Sequence, residues 1–154
     1  MRIVPNAFRY RRRVQFAETD QAGIVHFSGY FRYMEEAEHA LWRAAGLSIA
    51  PAEGAVGFPR VAASCEYLAP LRFEDEFDVE ICIEAIGRRS IRYACTMRRW
   101  ETTIATGSMT VACATKRAGE PLRATDIPDT IASRLQPFLR EPETGHRTPL
   151  GSGA

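Results

Sequence analysis

An α+β domain, with one antiparallel sheet laid against one long helix, is the fold class that this 154-residue sequence predicts. Three observations carry that reading. One stretch, 29–45, places its apolar residues at helical spacing. From residue 60 to 115 the pattern switches to a period of two, the signature of half-buried strands. The breaks between the last three strands are short, which suits antiparallel neighbours.

Taken in order, residues 10–17 alternate, with Val14 and Phe16 on one face and Arg13 and Gln15 on the other, and make the first strand. Residues 19–29 carry the Asp, Gly and Ser that favour turns, and Ser28 is placed to cap the helix that follows. Along 29–45, Tyr30, Tyr33, Met34, Ala37 and Leu41 form an apolar arc opposite Arg32, Glu36, His39 and Arg43. Phe31 and Trp42 widen the arc past Glu38. Glu38 therefore sits in an apolar flank and Glu35 at its border, so both carboxylates need partners. Gly46 follows as a C′ residue.

After a loop at 47–59, four strands are readable at 60–68, 77–86, 90–100 and 103–115, broken by Pro70, Gly87 and Glu101-Thr102. In the clearest of them Phe77, Val79, Ile81 and Ile83 face one way while Asp78, Glu80 and Glu84 face the other. Residues 128–139 suit a short final helix. Residues 1–140 read as a single domain, and 141–154, rich in Gly, Pro, Ser and Thr, as a disordered tail. One helix covers one face of a five-stranded sheet. A homo-oligomer, dimer or tetramer, is expected to cover the rest.

The formal net charge of +1 exerts no global pull toward nucleic acid or a membrane surface, so neither is expected as a partner. Cys65, Cys82, Cys95 and Cys113 stand far apart without Cys-x-x-Cys spacing and read as free thiols, with no metal site. The N-terminus lacks a signal-like apolar region, and no window approaches the ~20 apolar residues of a membrane span. A reducing cytoplasm is the expected location.

Asp20 falls just after a strand and just before a helix. As a turn residue it would bond its own backbone; as a functional one it would hold a carboxylate beside the N–H groups of a helix start, where an oxyanion can be stabilised. His26 is a wall residue or a general base. Glu35 is a salt-bridged helix residue, with Arg32 and His39 at helical spacing, or a second acid. His39 and His146 read as solvated. Arg88-Arg89 and Lys116-Arg117 sit at strand ends, as edge charges or as phosphate ligands. There is no phosphate-binding Gly-x-x-x-x-Gly-Lys loop and no Gly-x-Ser-x-Gly elbow, which argues against nucleotide triphosphate hydrolysis and α/β-hydrolase chemistry.

The run Val14-Gln15-Phe16-Ala17-Glu18-Thr19-Asp20-Gln21-Ala22-Gly23-Ile24-Val25-His26-Phe27, then Tyr30-Phe31-Arg32-Tyr33-Met34-Glu35-Glu36-Ala37, resembles the 4-hydroxybenzoyl-CoA thioesterase-like branch of the hotdog-fold acyl-CoA thioesterases. The resemblance continues through Glu66-Tyr67-Leu68-Ala69-Pro70 and Gly87-Arg88-Arg89-Ser90 to Pro128. It implies a sheet wrapped around the helix, dimers joined edge to edge, often tetramers, and a site at the dimer interface. Asp20 falls on the family's catalytic aspartate and Phe27 on the residue whose backbone N–H polarises the thioester carbonyl. Gln21 stands where the family often has Pro or a small residue, and His26-Phe27 inverts a Tyr-His order seen in some relatives.

The resulting expectation is an acyl-CoA thioesterase without metal or cofactor. Its catalytic residues are Asp20, as nucleophile or general base, Phe27 and Glu35, with His26, Tyr30, Arg88, Arg89, Lys116 and Arg117 binding substrate. The alternatives are a hotdog dehydratase or hydratase using His26 and Glu35, and a non-catalytic acyl-CoA-binding protein.

Overall fold

A computed structural model describes residues 6–51 and 54–141. The elements are β1 (Phe8–Arg13), a 3-10 turn (Phe16–Glu18), α1 (Gly29–Ala44), β2 (Val56–Gly57), β3 (Arg60–Tyr67), β4 (Glu76–Ile86), β5 (Ser90–Arg99), β6 (Thr102–Ala112), β7 (Ala114–Thr115), α2 (Asp129–Leu135) and a closing 3-10 turn (Gln136–Phe138). β1-β4-β5-β6-β3 form one sheet whose neighbours are all antiparallel. β2 and β7 make a separate two-stranded ribbon.

The five-stranded antiparallel sheet with a helix is as the alternation predicts. The helix is 16 residues, about 24 Å at 1.5 Å per residue, and α2 adds a second of seven residues, so the domain is not built on one long helix alone. Its sheet-facing side buries Tyr30, Tyr33, Met34, Ala37, Leu41 and Trp42, which pack with Phe77, Ile81, Tyr93, Met97 and Met109 of β4, β5 and β6. Gly107, midway along β6, lets the helix approach: a Cβ there would lie 2.5 Å from Met34 Sδ and 2.8 Å from the Ser64 carbonyl oxygen. Gly46, at φ +76°, ends α1 in the left-handed conformation that a C′ glycine adopts freely.

Four local expectations are corrected. The first strand runs Phe8–Arg13, two residues earlier than the 10–17 alternation suggests, and Phe16, on the 3-10 turn, is 75% exposed against Phe73. The inward register belongs to Phe8, Tyr10 and Arg12, and Arg12 tolerates it because Glu18 and Glu36 meet its guanidinium. Ser28 does not cap α1: its backbone is already helical and its Oγ lies 2.7 Å from His26 Nδ1. The final strand stops at Ala112, and Ala114–Thr115 leaves the sheet to pair with Val56–Gly57.

All four cysteines are free thiols, Cys65 half-buried and the others buried. Of the tail expected at 141–154, residues 142–154 lie outside the described residues.

Candidate active site

Asp20 stands in a tight loop closed by its own backbone. Its N–H donates to the Ile24 carbonyl at 2.8 Å, and its carbonyl accepts from Gly23 N–H at 2.9 Å. Its Oδ1 accepts from the Ala22 N–H at 2.8 Å, the short-range bond that makes aspartate a turn former. The bridges Thr19–Val25 and Ile24–Arg72, with Val25 N–H bonded to the Leu71 carbonyl at 2.8 Å, hold the loop against the segment leaving β3. The turn reading of Asp20 thus holds for one carboxylate oxygen.

Asp20 lines an open cleft of about 450 Å³ with Ile24, Phe27, Tyr30, Tyr67, Leu68 and Pro70. Phe27 and Leu68 are more than half exposed at its mouth. Burial pushes the Tyr30 phenol pKa up, and the Asp20 carboxylate adds to the shift. At the helix start, Gly29 N–H bonds the His26 carbonyl at 2.8 Å, and the Tyr67 hydroxyl donates to the Phe27 carbonyl at 2.7 Å. The cleft therefore joins a carboxylate, an aromatic wall and the entry turn of a helix.

His26 is not in this cleft. It lines a second cavity of about 600 Å³ with Arg12, Glu18, Thr19, Ser28 and Arg32. Glu18 organises that side: it takes both arms of Arg12, at 2.6 and 3.0 Å, the Tyr33 hydroxyl at 3.1 Å and the Gln15 N–H at 2.7 Å. Burial, then the Glu18 charge, raise the Tyr33 pKa above its usual 10.0. Glu18 lies two residues from Asp20 and fastens the loop to β1 and α1. Sequence reasoning passed over it, because nothing local announces its partners Arg12 and Tyr33.

Glu35 lies on an exposed part of α1, with Arg60 Nη2 at 3.3 Å in place of the Arg32 or His39 that spacing suggests. Glu35 and His26 share neither cavity. His39 lies 3.7 Å from Glu38 and is only partly exposed, while His146 is outside the described residues. Arg88 and Arg89 both bond Asp126 Oδ1, at 3.0 and 2.9 Å, and hold its carboxyl below its usual 3.8, Arg89 first and Arg88 second. Lys116 and Arg117 follow β7, and Arg117 lines a cavity of about 520 Å³ with Glu120 and Arg123, the last a cation that the dipeptide pattern does not single out.

These basic groups stand at the far end of the sheet from Asp20. The Asp20 cleft meets the sheet beside Tyr67, which pairs with Ala105 near the start of β6, whereas Arg88 and Arg89 precede Ser90, which pairs with Ala112 at its end. The seven residue steps of β6 from Ala105 to Ala112 span about 23 Å between those ends. Among the described residues no cluster of three or more His, Cys, Asp or Glu side chains is placed to hold a metal ion, and no helix is long and apolar enough to cross a membrane.

The model of the thioesterase-like superfamily matches residues 14–135. The chain is 39% identical over 100 residues to a protein of Aquifex aeolicus provisionally described as an esterase, covering 64% of this chain and 77% of that one. It is 29% identical over 84 residues to 4-hydroxybenzoyl-CoA thioesterase of Pseudomonas sp. (strain CBS-3), covering 52% and 60%. The solved structure of a gentisyl-coenzyme A thioesterase superposes with a TM-score of 0.75 at 27% identity, covering 83% of this chain and 99% of that one. By sequence and by its hotdog arrangement of sheet and helix, the chain belongs to the thioesterase-like superfamily.

Proposed function

We propose that the protein hydrolyses an acyl-CoA thioester to the free acid and CoA, with Asp20 as the group that acts on the thioester carbonyl. The observation that carries the reading is the Asp20 carboxylate fixed at one oxygen by the Ala22 N–H and facing an apolar cleft at the entry turn of α1. The thioester carbon is attacked by water deprotonated at Asp20, or by the carboxylate itself to give an anhydride that water then opens. The carbonyl oxygen becomes an oxyanion against the Phe27 N–H, a kind of contact worth roughly 3 kcal/mol per donor. The C–S bond breaks as the carbonyl re-forms, and the sulfur leaves as CoA thiolate. This route uses no metal and no cofactor.

The reading includes a dimer through the open edge of β3. A two-fold axis there runs the two edge strands antiparallel, bringing the Arg60 end of each beside the Tyr67 end of the other. Lys116 donates its N–H to Ala55 near that Arg60 end, so one subunit's Lys116 and Arg117 are brought toward the other's Asp20 cleft. Phosphates of a CoA tail would then meet cations that lie at the other end of the sheet from Asp20 within one protomer.

The test is thiol release from a panel of aliphatic and hydroxylated aromatic acyl-CoAs by the wild type and by Asp20→Asn. We expect kcat to fall at least ~100-fold with KM little changed. A folded Asp20→Asn enzyme working at the wild-type rate refutes the assignment. No thiol release by the wild type, with hydration of an enoyl-CoA that His26→Ala abolishes, would instead favour a hydratase or dehydratase.

A further inference from the structure

We propose that Tyr67 is a positioning residue for the hydrolysis: its hydroxyl holds the turn whose Phe27 N–H faces the reacting carbonyl. The inference rests on the function proposed above and adds a residue to it.

Tyr67 is the last residue of β3, 40 residues from Phe27 in sequence, and its hydroxyl donates to the Phe27 carbonyl at 2.7 Å. Its ring packs edge-on to Tyr30 at 5.0 Å and forms part of the wall of the Asp20 cleft. Tyr30 is buried, so the ring that carries the hydroxyl leans on a fixed neighbour.

The effect on the turn follows from peptide geometry. Each peptide is planar and trans, so holding a carbonyl fixes the direction of the N–H on the other side of the same plane. Gly29 N–H holds the His26 carbonyl at 2.8 Å and so aims the Phe27 N–H. Tyr67 holds the next plane, that of the Phe27 carbonyl and the Ser28 N–H. Without Tyr67, that second plane keeps only the 3.3 Å contact from Ser28 N–H to His26 Nδ1, at the long end for a hydrogen bond. The entry turn of α1 would then be free to rock about Phe27. An oxyanion donor works only when held in place before the charge develops, so rocking costs turnover and not ground-state affinity.

Tyr67 also belongs to the edge strand. The clamp therefore makes the setting of the donors depend on where the end of β3 lies.

Tyr67→Phe keeps the ring and removes the bond. Its kcat and KM are measured with the acyl-CoA the wild type turns over fastest, alongside amide hydrogen exchange at residues 27–30 and Asp20→Asn as reference. We expect kcat to fall ~10-fold with KM within about two-fold, and exchange at 27–30 to quicken while the melting temperature barely moves. Unchanged kcat, a loss lying wholly in KM, or unchanged exchange would each overturn the proposal. Faster exchange with wild-type kcat would leave a purely structural bond and would also overturn it. Absence of turnover by the wild type, or an undiminished Asp20→Asn, would sink the thioesterase assignment and the positioning role together, with the exchange data still reporting whether the bond holds the turn. Should Tyr67→Phe not fold, Tyr67→Met removes the same hydroxyl.

Discussion

Glu38 Oε1 and Arg60 Nη2 lie 3.1 Å apart, tying the middle of α1 to the first residue of the edge strand β3. The carboxylate is 1% exposed, and the other arm of Arg60 reaches its second oxygen at 3.4 Å. Burial acts to lower the Arg60 pKa, and the bond and charge of Glu38 more than offset it, leaving the guanidinium more firmly protonated.

Removing one member of this pair leaves a charge in the core. Arg60→Ala should therefore cost about 3 kcal/mol or more in chemical denaturation, whereas Glu35→Ala, at the solvated side of the same arginine, should cost a few tenths. Replacing both as Glu38→Leu with Arg60→Met should recover most of the loss. A double variant as unstable as Arg60→Ala would show that the charge was not the cause.

Gly107→Ala should destabilise the domain by about 1–3 kcal/mol, because the new methyl meets Met34 Sδ on one side and the Ser64 backbone on the other. Shortening Met34 in the same protein relieves only the first clash, so Met34→Ala/Gly107→Ala should be less unstable than the two single costs summed. Urea midpoints of the four proteins decide this. Strict additivity would mean that helix and sheet do not touch at this point as described.

Neutralising Lys116 and Arg117 together should raise KM for an acyl-CoA more than it lowers kcat, and flatten the dependence of KM on salt. Arg88→Gln/Arg89→Gln should have the smaller effect, since Asp126 already offsets one of those two charges. None of the ion pairs among the described residues uses Lys116 or Arg117. Equal KM values and equal salt slopes for wild type and the Lys116/Arg117 variant would remove the phosphate role.

β3 has a partner on one side only, and Val61, Ala62 and Ala63 are exposed along it. Light scattering at micromolar concentration should give at least twice the 17.2 kDa chain mass. Val61→Asp should shift the protein toward a monomer and take the activity with it. A fully active monomer would contradict the interface site.

The strands of the second half were legible because each carries its own alternation: Phe77, Val79, Ile81 and Ile83 face the core as their spacing requires. Helix α1 was legible from its apolar arc and from Gly46. β1 was misplaced because Arg11, Arg12 and Arg13 hide the alternation, and only the distant Glu18 and Glu36 explain why Arg12 can face inward. Helical spacing offers Glu35 the partners Arg32 and His39 and names none for Glu38, whereas both meet Arg60, a contact that sequence spacing cannot propose. Asp20 was legible as a turn residue, but that His26 faces away from it was not, since a tight loop turns neighbouring side chains to opposite sides of the chain.

The loop that anchors one oxygen of Asp20 also decides when the side chain loses its freedom. A free aspartate would have to be oriented each time a substrate arrived, and that entropy would be charged to every passage over the barrier. With Oδ1 held by Ala22 and the backbone closed by Ile24 and Gly23, orientation is settled during folding. Only Oδ2 remains unanchored, so in the proposed hydrolysis the turn itself would set the direction from which a reacting carbonyl or water approaches.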